Sequence, residues 1–545
     1  MSVVQLNFDT GTEPQATLDT IGIDLGTTYS LIGVLGETGS VEILKDERGQ
    51  LLLPSAVLWD SEGVWVGHEA LDRGAAIVSS KRWMGAGVAD LATLALPSTY
   101  DFSASTEQQL FVMTAQGPKS AIEVAAEILK TLKARAIGQG FEAEAAVITV
   151  PAFFNESQRR MVMQAAELAE LRVLRLINEP TAAALAYGLE DVAKGRDGQH
   201  YAIYDFGGGT FDISILGFYN GIFEVKASCG DLQLGGDDLD NAIMAWVTTE
   251  VGVADAAKPA LKVLVASAKQ ALSDCETVVL DLKTIGIDKS LTLTRAHLEQ
   301  LIAPFIQKTM QLLDKALEES QLATHELAGI LLVGGSSKIP LVRQTLEQQF
   351  ECPVYCDLNP EAVVVMGATY QAAQLAGRVP ANRNWLLLDV VPLSLGLETM
   401  GGIVEKILPR NTTVPAVAES WFTTYEDGQT GFVFHIVQGE RELACDNRSL
   451  ATFMLKNLPV QPKGMVKVKV VFKIDLDGLL SIEAYEPTSN QQVEVQVHPT
   501  YGMDTTTYVT EVKKAIAMAD SDLALKAERL AAVENRSILQ ESSDA

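Results

Sequence analysis

Short apolar runs recur along the first part of the chain, among them Ile21–Leu25, Ala146–Val150, Ala202–Phe206 and Ile330–Val333, mostly ahead of Gly-rich turns. Such runs, bounded by turn residues, predict buried strands. Between them, helical stretches are expected over Ile122–Ala136, Glu156–Leu171 and Leu298–Leu317. Strand alternating with helix predicts α/β layers. Two acidic, glycine-bearing hairpin turns, Asp24–Thr28 and Asp205–Asp212, sit in similar contexts about 180 residues apart. Their recurrence predicts a duplicated architecture with one phosphate loop in each half.

The texture changes after Arg383. Trp385, Leu386, Leu387, Leu388 and Asp389, followed at once by Val390 and Val391, are very apolar for a connector. A passive tether would be Gly/Ser-rich, so this linker is expected to dock. From Leu395 to about Pro499 alternation takes over, as in Met465–Ile474 and Val493–Val497, with a hairpin turn at Asp475–Gly478. That region predicts an antiparallel β-sandwich. From about Thr506 to Gln540 the pattern is helical. The expected fold is therefore multi-domain. It comprises an N-terminal extension (1–19), an α/β unit (20–384), a hydrophobic linker (385–394), a β-sandwich (395–502) and a short helical segment (503–545).

Composition narrows the function. The 545 residues include 42 Lys plus Arg and 70 Asp plus Glu, a formal net charge of −28. Such a surface repels phosphate backbones and anionic lipid, so neither nucleic acid nor membrane is an expected partner. Five scattered cysteines give no disulfide framework and suit a reducing cytosol. Cys352 and Cys356 stand near each other without a second ligand pair, and a structural role outweighs a metal site. No apolar run reaches the roughly 20 residues of a spanning helix. The polar, acidic N-terminus has neither signal-peptide nor transit-peptide character, so a cytoplasmic location is expected.

Three glycine-rich turns carry the candidate chemistry. In Asp24–Thr28, Gly26 would let backbone N–H groups and the Thr27 and Thr28 hydroxyls approach phosphate oxygens, with Asp24 holding magnesium-bound water. Alone, this turn is explained equally well as a structural hairpin. Gly207, Gly208 and Gly209 are a stronger signal, because three glycines after a buried strand lose much conformational entropy and close approach to a ligand offsets it. A third turn, Gly334–Lys338, could admit a flat nucleobase and ribose against the backbone. Together the three favour a nucleotide site, and the P-loop lysine pattern is absent.

At this point the chain resembles a known family. IGIDLGTTYS, VITVPAFFNESQRR, INEPTAAALAYGL, YDFGGGTFDISIL and LLVGGSSKIPLV, in this order, look like the motif set of the DnaK-type 70-kDa heat-shock chaperones. Their nucleotide fold is shared with actin and the sugar kinases. LLLDVVPLSLGLETMGGIVEKILPRNTT and the N-terminal extension look most like the HscA-type branch of iron–sulfur assembly. The resemblance implies an actin-like two-lobed ATPase using ATP/ADP and Mg²⁺, with K⁺ as a further candidate ion. Asp24 and Asp205 would orient water around Mg²⁺. Thr27, Thr28, Tyr29 and Gly207–Thr210 would embrace the phosphates. Lys81 matches the catalytic lysine and Glu179 the carboxylate that orients or deprotonates the attacking water, with Asp212 and Thr210 assisting. Without the family, Lys81 would read as a surface lysine and Glu179 as a helix-cap carboxylate. Pro151 and Arg159 match residues that relay nucleotide state to the linker, Leu386–Asp389. Lys269, Ser273, Gly334, Gly335, Ser336 and Lys338 would complete the nucleotide pocket. A J-domain co-chaperone and a client polypeptide, an iron–sulfur scaffold protein, are the implied partners.

Departures from the family pattern matter. Ala266 replaces an acid and Gln270 the arginine that stacks on adenine, while Lys338 stands where the general family usually has arginine. A cation–π contact contributes roughly 0.5–2 kcal/mol, and lysine stacks less well than arginine. Rapid ADP release with no required exchange factor is therefore expected. In the sandwich, Leu397, Met400, Tyr425 and Phe432 fall where the family lines its peptide groove. Met400 and Tyr425 would arch over an extended peptide, and the bulky Phe432 would favour smaller or proline-containing segments. The bland alternative, sandwich core, is an even match for Leu397. The family's lid is much longer than the helical segment here, so faster peptide exchange is expected. The rivals are a general chaperone with another client, a small-molecule kinase, a filament-forming actin relative, and a peptide holdase that hardly hydrolyses.

Overall fold

The computed structural model describes residues 19–496 except 37–38, 93, 95, 98, 155, 192–197, 220–221, 255–256, 380–385, 392, 411, 476–479 and 490. The N-terminal extension before residue 19, the turn at 476–478 and the C-terminal helical segment lie outside them. Thr20–Leu25 runs antiparallel to Tyr29–Leu35 and parallel to Ala145–Val150. Arg172–Asn178 and Val41–Ile43 complete that sheet at its ends, with Leu53–Pro54 pairing beside it. The second large sheet repeats the arrangement. Gln199–Phe206 runs antiparallel to Phe211–Tyr219 and parallel to Leu327–Val333. The first two glycine turns, Asp24–Thr28 and Asp205–Asp212, are thus each the tip of a hairpin flanked by a parallel strand, as the internal recurrence predicts.

The helices lie near their expected positions. Ala121–Gly138 begins at Ser120, whose Oγ accepts the Glu123 amide while the Glu123 carboxylate accepts the Ser120 amide. Arg295–Ser320 is capped by Thr294 Oγ1, which accepts the His297 amide. Glu156–Leu168 stops short of the expected Leu171, because Glu170 turns into the left-handed region at φ +54°. The helix Val363–Leu375 packs on both the first sheet and the helix Glu179–Asp191. Gly22 and Gly367 make this possible: a Cβ on Gly22 would stand 2.2 Å from the Thr369 amide nitrogen, and one on Gly367 would stand 1.7 Å from the Ala182 carbonyl oxygen. Backbone cannot yield there as a side chain can. Gly367→Ala is expected to destabilise the protein by about 3 kcal/mol, read as an earlier thermal transition; an unchanged melting curve would refute this packing.

From residue 395 the chain forms two four-stranded antiparallel sheets. One orders Ile403–Leu408, Leu395–Thr399, Gly431–Gln438 and Arg448–Lys456; the other Ala416–Thr423, Lys467–Ile474, Leu480–Glu486 and Gln491–Gln496. Alternation decides their faces. Val468, Val470 and Phe472 are buried with Phe434 and Ile436 in one apolar cluster, while the residues between point outward.

The linker forms a strand, Leu386–Val390, within the second large sheet. Leu386, Leu387 and Leu388 pair in parallel with Ile222, Phe223 and Glu224, and Asp389 and Val390 pair with Val414 and Thr413. Beside this join, the Arg410 guanidinium pairs with Glu319 at 2.5 Å.

Candidate active site

A cleft of about 790 Å³ lies where the three glycine turns converge, lined by Asp24, Thr27, Thr28, Glu179, Asp205, Gly207, Lys269 and Lys338 among others. The turns are built against one another. A Cβ on Gly26 would stand 2.1 Å from the Tyr29 carbonyl oxygen, and Ser55 Oγ donates to the Gly26 carbonyl at 2.7 Å. A Cβ on Gly208 would meet Thr28 Oγ1 at 1.9 Å, and one on Gly209 would meet Thr27 Cγ2 at 2.2 Å. Gly208 and Gly209 therefore serve the contact between the two turns, a role sequence alone assigned to the ligand. Ser336 Oγ donates to the Gly207 carbonyl at 2.8 Å, which brings in the third turn. Thr28 Oγ1 is buried with no protein partner among the described residues. An acceptor oxygen entering the cleft would satisfy it.

Lys81 is only 4% exposed. Its ammonium donates to Glu179 Oε1 at 2.7 Å and stands 5.5 Å from the centre of the Phe154 ring. Asp24, Asp205 and Asp212 share its surroundings. Burial, then repulsion from Glu179, pushes the Asp24 carboxyl up to about 7, although Lys81 and the Thr149 hydroxyl, 2.8 Å away, oppose the rise. Burial and the neighbouring Glu179 likewise raise Asp205 and Asp212 well above the usual carboxylate range. Among the described residues, these four acids thus face one lysine, Lys81, and that cluster is short of positive charge. Among the described residues, no three acid, His or Cys side chains converge closely enough to ligate a metal directly. Asp24 and Asp205, as carboxylates lining the cleft, have the oxygen chemistry that a magnesium ion takes.

Behind the cluster, Pro151 is buried and Arg159 donates to the Phe154 carbonyl at 3.1 Å and to Asn178 Oδ1 at 2.5 Å. Arg159 therefore touches the residue before Glu179 and the one whose ring faces Lys81. On another wall of the cleft, Lys269 donates to the Gly236 carbonyl and pairs with Asp240, both at 2.8 Å. Ala266, Gln270 and Ser273 line the same wall, with Gln270 exposed. Lys338 is tied to Glu361 at 2.6 Å. Tyr29, Thr210, Gly334, Gly335 and Ser336 also line the cleft. Sequence reasoning missed Ser79, Arg82, Asp237 and Asp238, which bridge its sides; only the adjacency of Ser79 and Arg82 to Lys81 could have drawn attention to them.

The groove residues separate. Leu397 is buried at 3% exposure in the cluster between the sheets, Met400 is 39% exposed, and Tyr425 is partly buried. Phe432 is half-buried and stacks on Phe434 with centroids 5.6 Å apart. On the outer surface of that sheet, His435 bridges Glu398 at 2.6 Å and Ser449 at 2.8 Å. That row has the order of a hydrolytic triad, but an oxyanion formed there would stand in open water.

A family model described as Hsp70 protein matches residues 20–544. The chain is 43% identical over 530 residues to a "Chaperone protein HscA homolog" of Pseudomonas aeruginosa, covering 95% of this chain and 84% of the relative. It is 44% identical over 527 residues to the protein so named in Variovorax paradoxus, with 94% and 84% covered. For that of Azotobacter vinelandii the figures are 44% over 531 residues, 95% and 84%.

Proposed function

The chain belongs to the Hsp70 family, and from that premise we propose that it is an HscA-type ATP-dependent chaperone that grips and releases an extended client peptide in iron–sulfur cluster assembly. The observation that carries this reading is the linker strand Leu386–Val390, hydrogen-bonded into the sheet that bears the second glycine turn. A small-molecule kinase on the same nucleotide fold has no use for such a strand. A chaperone needs it, because peptide affinity must follow the nucleotide.

In the mechanism, the Thr27, Thr28 and Gly207–Thr210 segments hold the phosphates of ATP. Asp24 and Asp205 would hold Mg²⁺ through water, and the ion would neutralise charge on the phosphates; K⁺ is a further candidate ion. Lys81 steadies the γ-phosphate and the attacking water, and Glu179 orients or deprotonates that water, with Asp212 and Thr210 assisting. Positioning and electrostatic stabilisation are most of what phosphoryl transfer requires. Arg159 and Pro151 carry the state of this cluster toward the linker. In the ATP state the linker is docked and the groove exchanges peptide; after hydrolysis the linker leaves the sheet and the groove, with Met400 and Tyr425 arched over Phe432, tightens. The working division is an ATPase over 20–384, a linker over 385–394, a peptide-binding sandwich over 395–502 and a lid segment over 503–545. The setting is cytoplasmic, with a J-domain co-chaperone stimulating hydrolysis.

Steady-state ATPase assays with and without a J-domain protein and an iron–sulfur scaffold test the reading. Synergistic stimulation by the two is the expected result. Stimulation by many unfolded peptides but not by the scaffold would keep the chaperone and discard the iron–sulfur client. Gln270 and the Glu361-bound Lys338 offer the adenine no free arginine plane. Gln270→Arg is therefore expected to slow ADP release several-fold, as one cation–π contact would; an unchanged off-rate would show that adenine does not stack there.

A further inference from the structure

We propose that Ser394 and Glu440 form a pin that aims Arg410 at Glu319, and so holds the sandwich against the ATPase in the state that releases peptide. The inference rests on the linker-coupling reading above and extends it to residues outside the linker strand. Beyond the rungs that join Asp389 and Val390 to Val414 and Thr413, the Val391 amide donates to the Thr412 carbonyl at 2.9 Å. Ser394 closes this ribbon, because its hydroxyl oxygen accepts the Arg410 amide at 2.9 Å. Ser394 is only 2% exposed, and Glu440 grips it twice. Glu440 Oε1 accepts the Ser394 amide at 2.8 Å and Oε2 accepts its hydroxyl at 3.1 Å. The Ser394 carbonyl accepts the Gly439 amide at 2.9 Å, and Lys406 donates to the Glu440 carbonyl at 2.8 Å. The backbone at Arg410 is thereby fixed from within the sandwich.

The other side of the join is prepared as well. Glu319 stands near the end of the helix Arg295–Ser320 of the ATPase. Its Oε2 accepts the Arg410 guanidinium at 2.5 Å and the Cys229 thiol at 3.4 Å. Burial, then the charge of Glu319, pushes the Cys229 thiol well up, so it meets the carboxylate as a donor. Cys229 lies on the strand Ile222–Asp231, whose first residues receive the linker. One carboxylate oxygen thus takes a donor from each side of the join.

An ion pair between long, mobile side chains contributes little, since ordering them offsets most of the attraction. Here both side chains are largely buried, 18% exposed for Arg410 and 15% for Glu319. With the Arg410 backbone held by the pin, less freedom remains to be lost when the two surfaces meet. Ser394 and Glu440 are positioning residues, acting on docking through Arg410.

The test is fluorescence anisotropy of a fluorescein-labelled peptide rich in valine and proline, titrated under saturating ATP and under saturating ADP. Ser394→Ala and Glu440→Ala are expected to tighten binding with ATP about three- to tenfold, the worth of one net hydrogen bond. With ADP, where the linker has left the sheet, affinity should stay within about twofold. Damage to the groove has the opposite sign, so weaker binding under both nucleotides would assign the two residues to the sandwich fold and overturn the pin. Glu440→Gln keeps an acceptor for the Ser394 amide and should bind within about twofold of the unsubstituted protein. Tightening as large as that of Glu440→Ala would make charge, not aim, the cause and overturn the pin. The Ser394→Ala/Arg410→Ala double variant should add little to Arg410→Ala, and additive effects would equally refute it. Unchanged ATP-state affinity in every variant, with the unsubstituted protein still weaker under ATP, would overturn the pin alone. Equal affinity under both nucleotides in the unsubstituted protein, or no binding of the peptide, would overturn the coupling reading and the pin with it.

Discussion

Lys81→Met lowers the ATP turnover of this protein by about 10²–10³-fold, the usual consequence of deleting one preorganised group that stabilises developing charge. The reason lies in the charge count around it. Among the described residues, Lys81 is the lysine that acts on Asp24, Asp205 and Asp212, and its ammonium contacts Glu179 at 2.7 Å. Without it, the four carboxylates would face the γ-phosphate and the attacking water with their charge no longer offset by its ammonium. Stability falls as well, because removing one member of a buried pair leaves an uncompensated charge, at a cost of about 3–5 kcal/mol. The Lys81→Met/Glu179→Gln double variant separates the two effects. With both charges gone it should recover most of the lost thermal stability, yet it should hydrolyse ATP no faster than Lys81→Met. Single-turnover hydrolysis and calorimetry on the same samples check this. Recovery of turnover in the double variant would mean that Lys81 acts only by holding the fold.

The second large effect concerns the linker. Leu388 pairs with Glu224 in a parallel ladder, and Asp389 pairs with Val414 beyond it. Proline has no N–H and a fixed φ, so Leu388→Pro breaks this ladder while leaving the catalytic cluster untouched. If linker docking couples the two sites, the unsubstituted protein binds peptide more weakly with ATP than with ADP, by a factor in the usual allosteric range of about 5–150. In Leu388→Pro that factor should fall below about two while basal hydrolysis persists. Fluorescence anisotropy of a labelled client peptide under each nucleotide measures it. Hydrogen exchange at Ile222–Glu224 supplies an independent reading, since those amides should lose protection with the strand. A variant that exchanges fast there yet still releases peptide on ATP addition would disprove coupling through the docked strand.

Much of this machine is legible before folding. The buried strands before each glycine turn, the paired hairpins and the apolar linker follow from residue pattern alone. Lys81 is a different case. Nothing in its local sequence distinguishes it from a surface lysine, and only family resemblance singled it out. Its 4% exposure comes from a short 3-10 turn, Ser80–Trp83, folded between the two halves. For Ser79 and Arg82 the sequence offered only their adjacency to Lys81, because their partners Asp237 and Asp238 are more than 150 residues away in sequence. Phe432 was read as a pocket floor from its place in the motif, and it stacks on Phe434, its same-face neighbour two residues along the same strand.

What the sequence by itself determined is what depends on near neighbours: strand and helix periods, turn chemistry, the count of charges and the hydrophobicity of the linker. Those are set by φ/ψ preferences and by which residues leave water. Tertiary structure alone decided which glycine faces which threonine, so that Gly208 and Gly209 seat Thr28 and Thr27 as well as bordering the cleft. It also decided that four acids converge on one lysine and that the linker joins the sheet of the second half. Each of these is a meeting of distant segments. Its energy comes from burial and desolvation, and no local window of the chain contains the partner that supplies it.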